Sequence, residues 1–436
     1  MSATELLHNR AREARLSPWK AFLKATEIDP RLIGMIGALA LIWIGFAIAS
    51  HGIFLSPRNL WNLSVQTASW GVMAAGMVLI IVMRHIDLSV GAVLGFIGMV
   101  VSVLQARFLP GLIGFDHPLT WVIVLIAGIA IGLVIGAFHG LFIAYCGIPA
   151  FIVTLGGLRF WRNAAWAVTS GQTVAPVDSR FRLIGGGGPD AAIGATASWI
   201  VGLLVCAVIL AALVFGRRQR ARFGFPQRPA WAEALLAVLC CGGVLGFVAI
   251  VNAYPWPPAL AHRYADEHGI PWPDGGLFFA HGIAIPVLIA LGVAIAVNFL
   301  ATRTRFGRYV FAAGGNPEAA ELGGIDTKWV TTKVFMLMGA LTAISAAIAT
   351  ARLASATNSA GTSDELYVIA ATVIGGTSLA GGSGTVGGAM IGALVMASLQ
   401  SGMGLLGIDT PYQSMVIGIV LVMAVFVDTL YRRKLI

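Results

Sequence analysis

The chain has 436 residues, of which 58% are hydrophobic and only 11% charged, with a mean hydropathy of +0.86. Ordinary soluble domains carry roughly 25% charged residues, so this composition excludes a water-soluble globular enzyme and indicates a polytopic membrane protein. The net charge of +9 sits in short Lys- and Arg-rich segments beside apolar runs, without aromatic and basic interleaving, which fits membrane topology and excludes nucleic acid as a partner.

Residues 2–31 alternate basic and apolar side chains, among them Leu6, Arg10, Arg15, Trp19, Lys20 and Phe22. Such a segment lies on an anionic cytoplasmic leaflet as an amphipathic helix or forms a partly ordered tail. It contains no short apolar core followed by a cleavage site, so the first spanning helix is expected to act as the insertion signal.

A hydrocarbon core of roughly 30 Å takes about 20 apolar residues to cross. That rule predicts an all-α bundle of about twelve spans, near 32–50, 66–83, 88–107, 120–145, 149–169, 196–215, 231–252, 282–301, 329–351, 364–380, 384–404 and 412–430. The basic segments, namely the N-terminus, Arg217 to Arg228, Thr302 to Lys328 and Arg432-Arg433-Lys434, are separated by even numbers of spans. All are therefore expected on the cytoplasmic side, together with both termini. The opposite loops, His51 to Asn62, Phe108 to Leu119, Gly171 to Ala195 and Asn252 to His281, are rich in Gly, Pro and Trp, as suits an outer face.

Gly-rich breaks at His85 to Gly91 and at Gly375 to Gly382 fall in the two halves of the chain and predict discontinuous helices near a pathway, a pattern frequent in inverted repeats. The span count nevertheless places both breaks on one side, which points to a re-entrant segment. Asp87 and Ser89 either cap the helix that follows the first break or belong to a solute-facing turn. Gly128, Gly132, Gly136 and Gly140, and again Gly384, Gly388 and Gly392, recur every fourth residue and predict close helix packing.

His139 reads as a hydrogen-bonded interior residue. The four cysteines have no metal or CxxC spacing, and His262, Asp266, Glu267 and His268 are spaced too irregularly for a metal site. Gly-rich stretches at 185–188 and 381–388 do not continue into Gly-Lys-Ser/Thr, so no phosphate loop, no cofactor and no catalytic residue is expected.

Between two apolar runs, Thr302 to Asp326 is too polar to lie in hydrocarbon and must stand outside it. Within it, Asn316 as N-cap, Pro317 at the first helical position, Glu318 in the first turn and Gly323-Gly324 as terminator predict a short capped helix, a docking element for a soluble partner. Thr304-Arg305-Phe306-Gly307-Arg308, Gly314-Gly315-Asn316, Glu318-Ala319-Ala320 and Gly323-Gly324-Ile325 resemble the coupling loop of bacterial ABC-transporter sugar permeases of the ribose/xylose/arabinose family. Ile86-Asp87-Leu88-Ser89-Val90-Gly91, Gly147 to Gly157 and Gly361-Thr362-Ser363-Asp364-Glu365-Leu366 are similar to further signatures of that family, with His85 standing where the family usually has another residue. The added hairpin around the basic loop Arg217 to Arg228 resembles an insertion of its D-xylose permeases.

The resemblance implies a non-catalytic permease in a bacterial inner membrane, embedded in membrane lipid as two copies. It implies a separate ABC ATPase subunit as partner and a periplasmic sugar-binding protein as donor of a pentose, D-xylose in the first instance, with another monosaccharide as the alternative. It divides the chain into a cytoplasmic segment 1–31 and a permease domain 32–436, with an inserted hairpin 196–252 and a coupling loop 302–328. ATPase coupling would fall to Arg305, Phe306, Gly307, Arg308, Asn316, Pro317, Glu318, Ala319, Ala320 and Gly323. Asp87, Ser89, Phe151, Thr154, Asn358, Thr362, Glu365 and Gln400 are the candidates for the pathway. For Phe151 and Thr154 ordinary packing is the competing account, and for the stretch around Asn358 it is helix capping by Thr362 or Asp364. An ion-coupled carrier is the other transport class, and it would need intramembrane carboxylates, of which Asp87 is the main one in sight.

Overall fold

Two antiparallel helices carry the centre of the larger of two compact units, residues 38–193 with 283–436. The computed structural model describes residues 22, 23, 25–273 and 275–433, so most of the expected amphipathic segment 2–31, and Lys434, lie outside the described residues. Helix α1 is Pro30–Ala49. Helix α2 (Pro57–Val82) opens with Ser56 as cap, its hydroxyl accepting from the Asn59 N–H, and with Pro57 in the first turn. Its most apolar stretch is 89% buried, which a membrane helix reaches only when other helices surround it.

Helices α3 (Val90–Ile113, with a π turn over Leu104–Phe108), α4 (Thr120–Ala144) and α5 (Ala150–Thr169) follow α2. A short helix, α6 (Ser179–Leu183), lies in the connection beyond α5. In the smaller unit, residues 1–37 with 194–282, α7 (Gly194–Arg222) and α8 (Ala230–Asn252) pair as a hairpin, followed by α9 (Pro258–Glu267). The apolar stretches of α7 and α8 are each only 11% buried, leaving broad surfaces for lipid.

The second half of the larger unit begins with α10 (Ile285–Arg303), α11 (Arg305–Gly315) and α12 (Pro317–Leu322). Helix α13 (Thr327–Leu353) is capped by Asp326, which accepts from the Trp329 N–H at 2.9 Å. It is followed by α14 (Asp364–Ile374), α15 (Val386–Leu405) and α16 (Thr410–Arg433). The Ser69 and Ser345 hydroxyls meet at 2.8 Å, and Gly76 lies against Met338 and Leu341, which fixes α2 and α13 as antiparallel neighbours.

The packing of α2 to α5 is repeated by α13 to α16. Helix α4 packs on α13 as α15 packs on α2, α3 on α5 as α14 on α16, and α3 on α13 as α14 on α2. Because α2 and α13 run in opposite directions, the second set is an inverted copy of the first. The glycine rows make the closest of these contacts possible. A Cβ added at Gly132 would run into the Gly339 carbonyl, one at Gly136 into that of Phe335, and one at Gly392 into that of Ala371.

Two expectations need correction. The predicted span 364–380 is an 11-residue helix, α14, about 16 Å long, too short to cross. Its polar approach, Asn358 to Ser363, cannot continue α13 as helix, and Ser363 sits at φ 67°, in the left-handed region. The stretch Gly375 to Gly382, expected to be the second break, is instead the connection from α14 to α15, where the Gly382 N–H donates to the Val82 carbonyl at 2.9 Å. The unwound segments inside the bundle are residues 84–89 and 354–363, which enter from opposite ends, following α2 and α13. That resolves the same-side placement, since an inverted repeat requires opposite ends.

Nine helices among the described residues are long and apolar enough to cross a membrane. Of the other three expected spans, 149–169 is helix α5, which carries Arg159, Arg162 and Asn163; 412–430 falls in α16, whose apolar part is Thr410–Phe426; and 364–380 is the short α14.

Candidate functional site

The second unwound segment meets the first turns of α3, directly beyond the first unwound segment, inside the bundle, where buried backbone polar groups must find partners. At the start of α3, the Asp87 carboxylate accepts from the Ser89 backbone N–H at 2.8 Å and from its hydroxyl at 2.6 Å. Asp87 thus closes a turn before the helix rather than capping the helix itself. Both residues are buried, Asp87 at 4% exposure. The Thr154 hydroxyl shares its proton between the Ala150 carbonyl of its own helix at 2.9 Å and the Ile86 carbonyl at 3.2 Å, which brings the same segment against α5.

Behind Ser89 lies His139, whose Nδ1 is 3.4 Å from the Ser89 hydroxyl and whose Nε2 is 3.2 Å from the Trp161 indole nitrogen. The indole can only donate, so His139 Nε2 accepts and Nδ1 carries the proton toward Ser89, which in turn donates to Asp87. One directed chain, Trp161 to His139 to Ser89 to Asp87, therefore fixes the first unwound segment against α4 and α5.

The second segment is fixed from α5 by Arg162, whose Nη1 donates to the carbonyls of Asn358 at 3.0 Å and Ala360 at 2.6 Å. Its positive charge also lies within electrostatic reach of the carboxylates of Glu365 and Asp364. Gly91 is the point of crossing. A Cβ there would run into both the Gly361 carbonyl and Glu365 Oε2, so only glycine lets the two segments touch. Glu365 Oε2 is buried without a hydrogen-bond partner among the described residues. Beside it Trp70 stacks on Tyr367 at 4.3 Å between ring centroids, and both rings are buried. The stacked rings, the carboxylates and the carbonyls form a polar cluster in an otherwise apolar bundle.

At the bundle end formed by Val82 and Gly314, α11 and α12 form an elbow. Thr304 joins α10 to α11, its hydroxyl accepting from the Gly307 N–H at 3.2 Å and donating to the Leu300 carbonyl at 2.6 Å. Asn316 caps α12 as expected, its side-chain oxygen accepting from the Ala319 N–H at 3.0 Å. Arg305, Arg308, Asn316, Pro317, Glu318, Ala319 and Gly323 are exposed, Phe306 is half-buried, and Gly307 and Ala320 are buried. Arg84 connects this elbow to the bundle. Its Nε donates to the Gly314 carbonyl at 2.8 Å and its Nη2 to the Gly315 carbonyl at 2.6 Å. Arg84 is also the first residue of the unwound segment that holds Asp87 and Ser89.

Of the pathway candidates, Asp87, Ser89, Thr154, Asn358 and Glu365 come together at the crossing, and Thr362 lies exposed beside it. Thr362 caps no helix, since its hydroxyl donates back to the Ser359 carbonyl at 2.6 Å, and Ser363 rather than Asp364 occupies the cap position. Phe151 stands apart, 53% exposed on the flank of α5. Gln400 stands apart too, taking a 2.6 Å hydrogen bond from Gln66 between α15 and α2. Arg84, His139, Trp161, Arg162 and Asp364 were not among the candidates, and neither was Leu322, the 91% exposed last residue of α12. Arginines at 84 and 162, beside and inside apolar runs, were the available signal.

The chain is 35% identical over 412 residues to the xylose transport system permease protein of Escherichia coli (strain K12), covering 94% of each chain. It is 35% identical to the protein of that name from Haemophilus influenzae, covering 94% of this chain and all of that one. It is 29% identical to the ribose import permease protein of Escherichia coli (strain K12), covering 93% and 95%. No solved structure matches. Residues 59–425, which contain both unwound segments and the elbow, match the family described as branched-chain amino acid transport system / permease component, and the chain belongs to that family of membrane permeases.

Proposed function

We propose that the chain is the membrane permease subunit of an ATP-driven importer for a pentose, with D-xylose as the first candidate. The observation that carries this reading is the Arg84 clamp, which links an exposed, capped helix at one end of the bundle to the polar crossing within it. A separate ABC ATPase docks on α11 and α12, with Leu322 as an apolar anchor and Glu318 and Arg308 beside it. ATP binding shifts the permease between two states only if it acts differently on them. The clamp supplies that difference by moving residues 84–89 against Gly361 and Glu365. The elbow and both termini then face the cytoplasm of a bacterial inner membrane, and a periplasmic sugar-binding protein delivers solute to the opposite face. Two permease copies complete the transporter. The full-length likeness to a xylose permease supports the sugar class.

Co-purification with candidate ATPase subunits, followed by uptake assays, tests this reading. Glu318→Arg and Gly323→Trp are expected to abolish ATPase docking and ATP-dependent D-xylose uptake while membrane insertion stays normal. Unchanged uptake would remove the elbow from its role, and uptake of a branched-chain amino acid instead of xylose would overturn the substrate class. One observation favours a second reading, an ion-coupled carrier: Asp364 and Glu365 join Asp87 inside the bundle, more carboxylates than the sequence led one to expect. Sugar uptake by the chain alone in proteoliposomes, driven by a proton or sodium gradient, would establish it.

A further inference from the structure

In the smaller unit, Glu27 lies in a fork of two arginines. Arg220 Nη1 and Nη2 donate to its two carboxylate oxygens at 2.7 and 2.8 Å, and Arg228 Nε and Nη2 donate to Oε2 at 3.1 and 2.8 Å. Beside the fork Phe22 stacks on Trp231 at 6.1 Å, so the segment ahead of α1 is latched to the loop of the α7–α8 hairpin. Hydrogen bonds from Arg220 and then Arg228 hold the Glu27 carboxyl down at about 2, so the latch stays ionised at any physiological pH. What can open it is a competing anion.

Three features give that anion its chemistry. Two guanidiniums converging on one point match the oxygens of a phosphate. Helix α7 has 29 residues, about 43 Å, and outruns a hydrocarbon core of roughly 30 Å, so its arginine end reaches the headgroup layer. The same end exposes Phe223 at 63%, Phe225 at 64% and Trp231 at 52%, and Phe223 and Phe225 line a cavity of about 460 Å³ together with Arg220, Gly216 and Gln219. Rings exposed next to arginines suit the boundary between headgroups and acyl chains. Arg218 and Arg222 add positive charge.

We propose that Arg220 and Arg228 form a binding site for the headgroup of an anionic phospholipid, which competes with Glu27 and releases the segment ahead of α1 from the hairpin. Lipid phosphate takes the fork, and the first part of an acyl chain lies along Phe223 and Phe225. The carboxylate of Glu27 is the resident anion that keeps the site closed when the leaflet is poor in charge.

Native mass spectrometry of the full chain, titrated with phosphatidylglycerol or phosphatidylcholine, reads the site directly. Glu27→Gln is expected to bind phosphatidylglycerol about threefold more tightly than the wild type, the scale of an exposed ion pair removed as competitor. Arg220→Gln/Arg228→Gln should lose that binding, Arg220→Lys/Arg228→Lys should keep part of it, and phosphatidylcholine binding should be the same throughout. A second readout does not depend on the arginine variants folding: disulfide formation in Phe22→Cys/Trp231→Cys should slow in phosphatidylglycerol vesicles relative to phosphatidylcholine vesicles. Equal phosphatidylglycerol binding by wild type and Glu27→Gln, or disulfide formation indifferent to lipid charge, would overturn the proposal. So would displacement of the lipid by millimolar inorganic phosphate, which would make the site one for free phosphate.

Discussion

Replacing Arg84 by Ala is expected to lower ATP-dependent sugar uptake by roughly ten- to a hundredfold while the ATPase subunit still docks. Each of its two hydrogen bonds to the Gly314 and Gly315 carbonyls is charge-assisted, and such bonds contribute about 1.5–3 kcal/mol when well shielded. The second bond is exposed, so the lower end of that range applies, and every 1.4 kcal/mol of lost coupling is about a factor of ten. No other side chain joins residues 84–89 to the carbonyls that end α11 among the described hydrogen bonds. The loss should therefore fall on coupling, with ATP hydrolysis in the complex continuing but no longer drawing sugar across. Uptake and hydrolysis measured on the same proteoliposomes separate the two. Equal loss of both would mean that Arg84 serves docking instead.

Arg162→Met is expected to be the most damaging change at the crossing, destabilising the bundle by about 3 kcal/mol and cutting uptake below a tenth of the wild type. The methionine is of similar size but frees the Asn358 and Ala360 carbonyls and removes the positive charge whose field reaches Glu365 and Asp364. Most of the cost comes from carboxylates left in the bundle without compensation, so Arg162→Met/Glu365→Gln should recover part of the thermal stability. It should not recover uptake, since the carbonyls that Arg162 aligned remain free to move. Thermal unfolding of the two variants followed by tryptophan fluorescence checks this order, and a single variant as stable as the wild type would refute it.

The parts of this fold legible in the sequence are those written in local chemistry. Asn316, Pro317 and Gly323-Gly324 spell a capped turn without reference to anything distant, and α12 has the expected bounds to the residue. The four-residue glycine spacing in α4 and α15 likewise announced close backbone contact, although not with which helix. What stayed hidden is decided by partners far away in the chain. Hydropathy joined α14 to Gly375-Gly382 as one span because apolar and glycine residues run on unbroken there, whereas the helix, which starts at Asp364 as expected, ends at Ile374, with Gly376 turning into the left-handed region. Arg84, His139 and Arg162 looked like isolated polar residues. Their roles come from contacts with residues 22 to 231 positions away, a distance over which periodicity carries no information.

Motion at the elbow is expected to reach the crossing through Arg84. Thr362 is exposed where the second unwound segment meets the first, so Thr362→Cys, in a chain with Cys146, Cys206, Cys240 and Cys241 replaced, reports on that point. Its rate of labelling by a water-soluble maleimide, measured in the assembled transporter with and without ATP, is expected to change about tenfold with nucleotide, and to become independent of nucleotide once Arg84→Ala is added. The same nucleotide response with and without Arg84 would contradict the account.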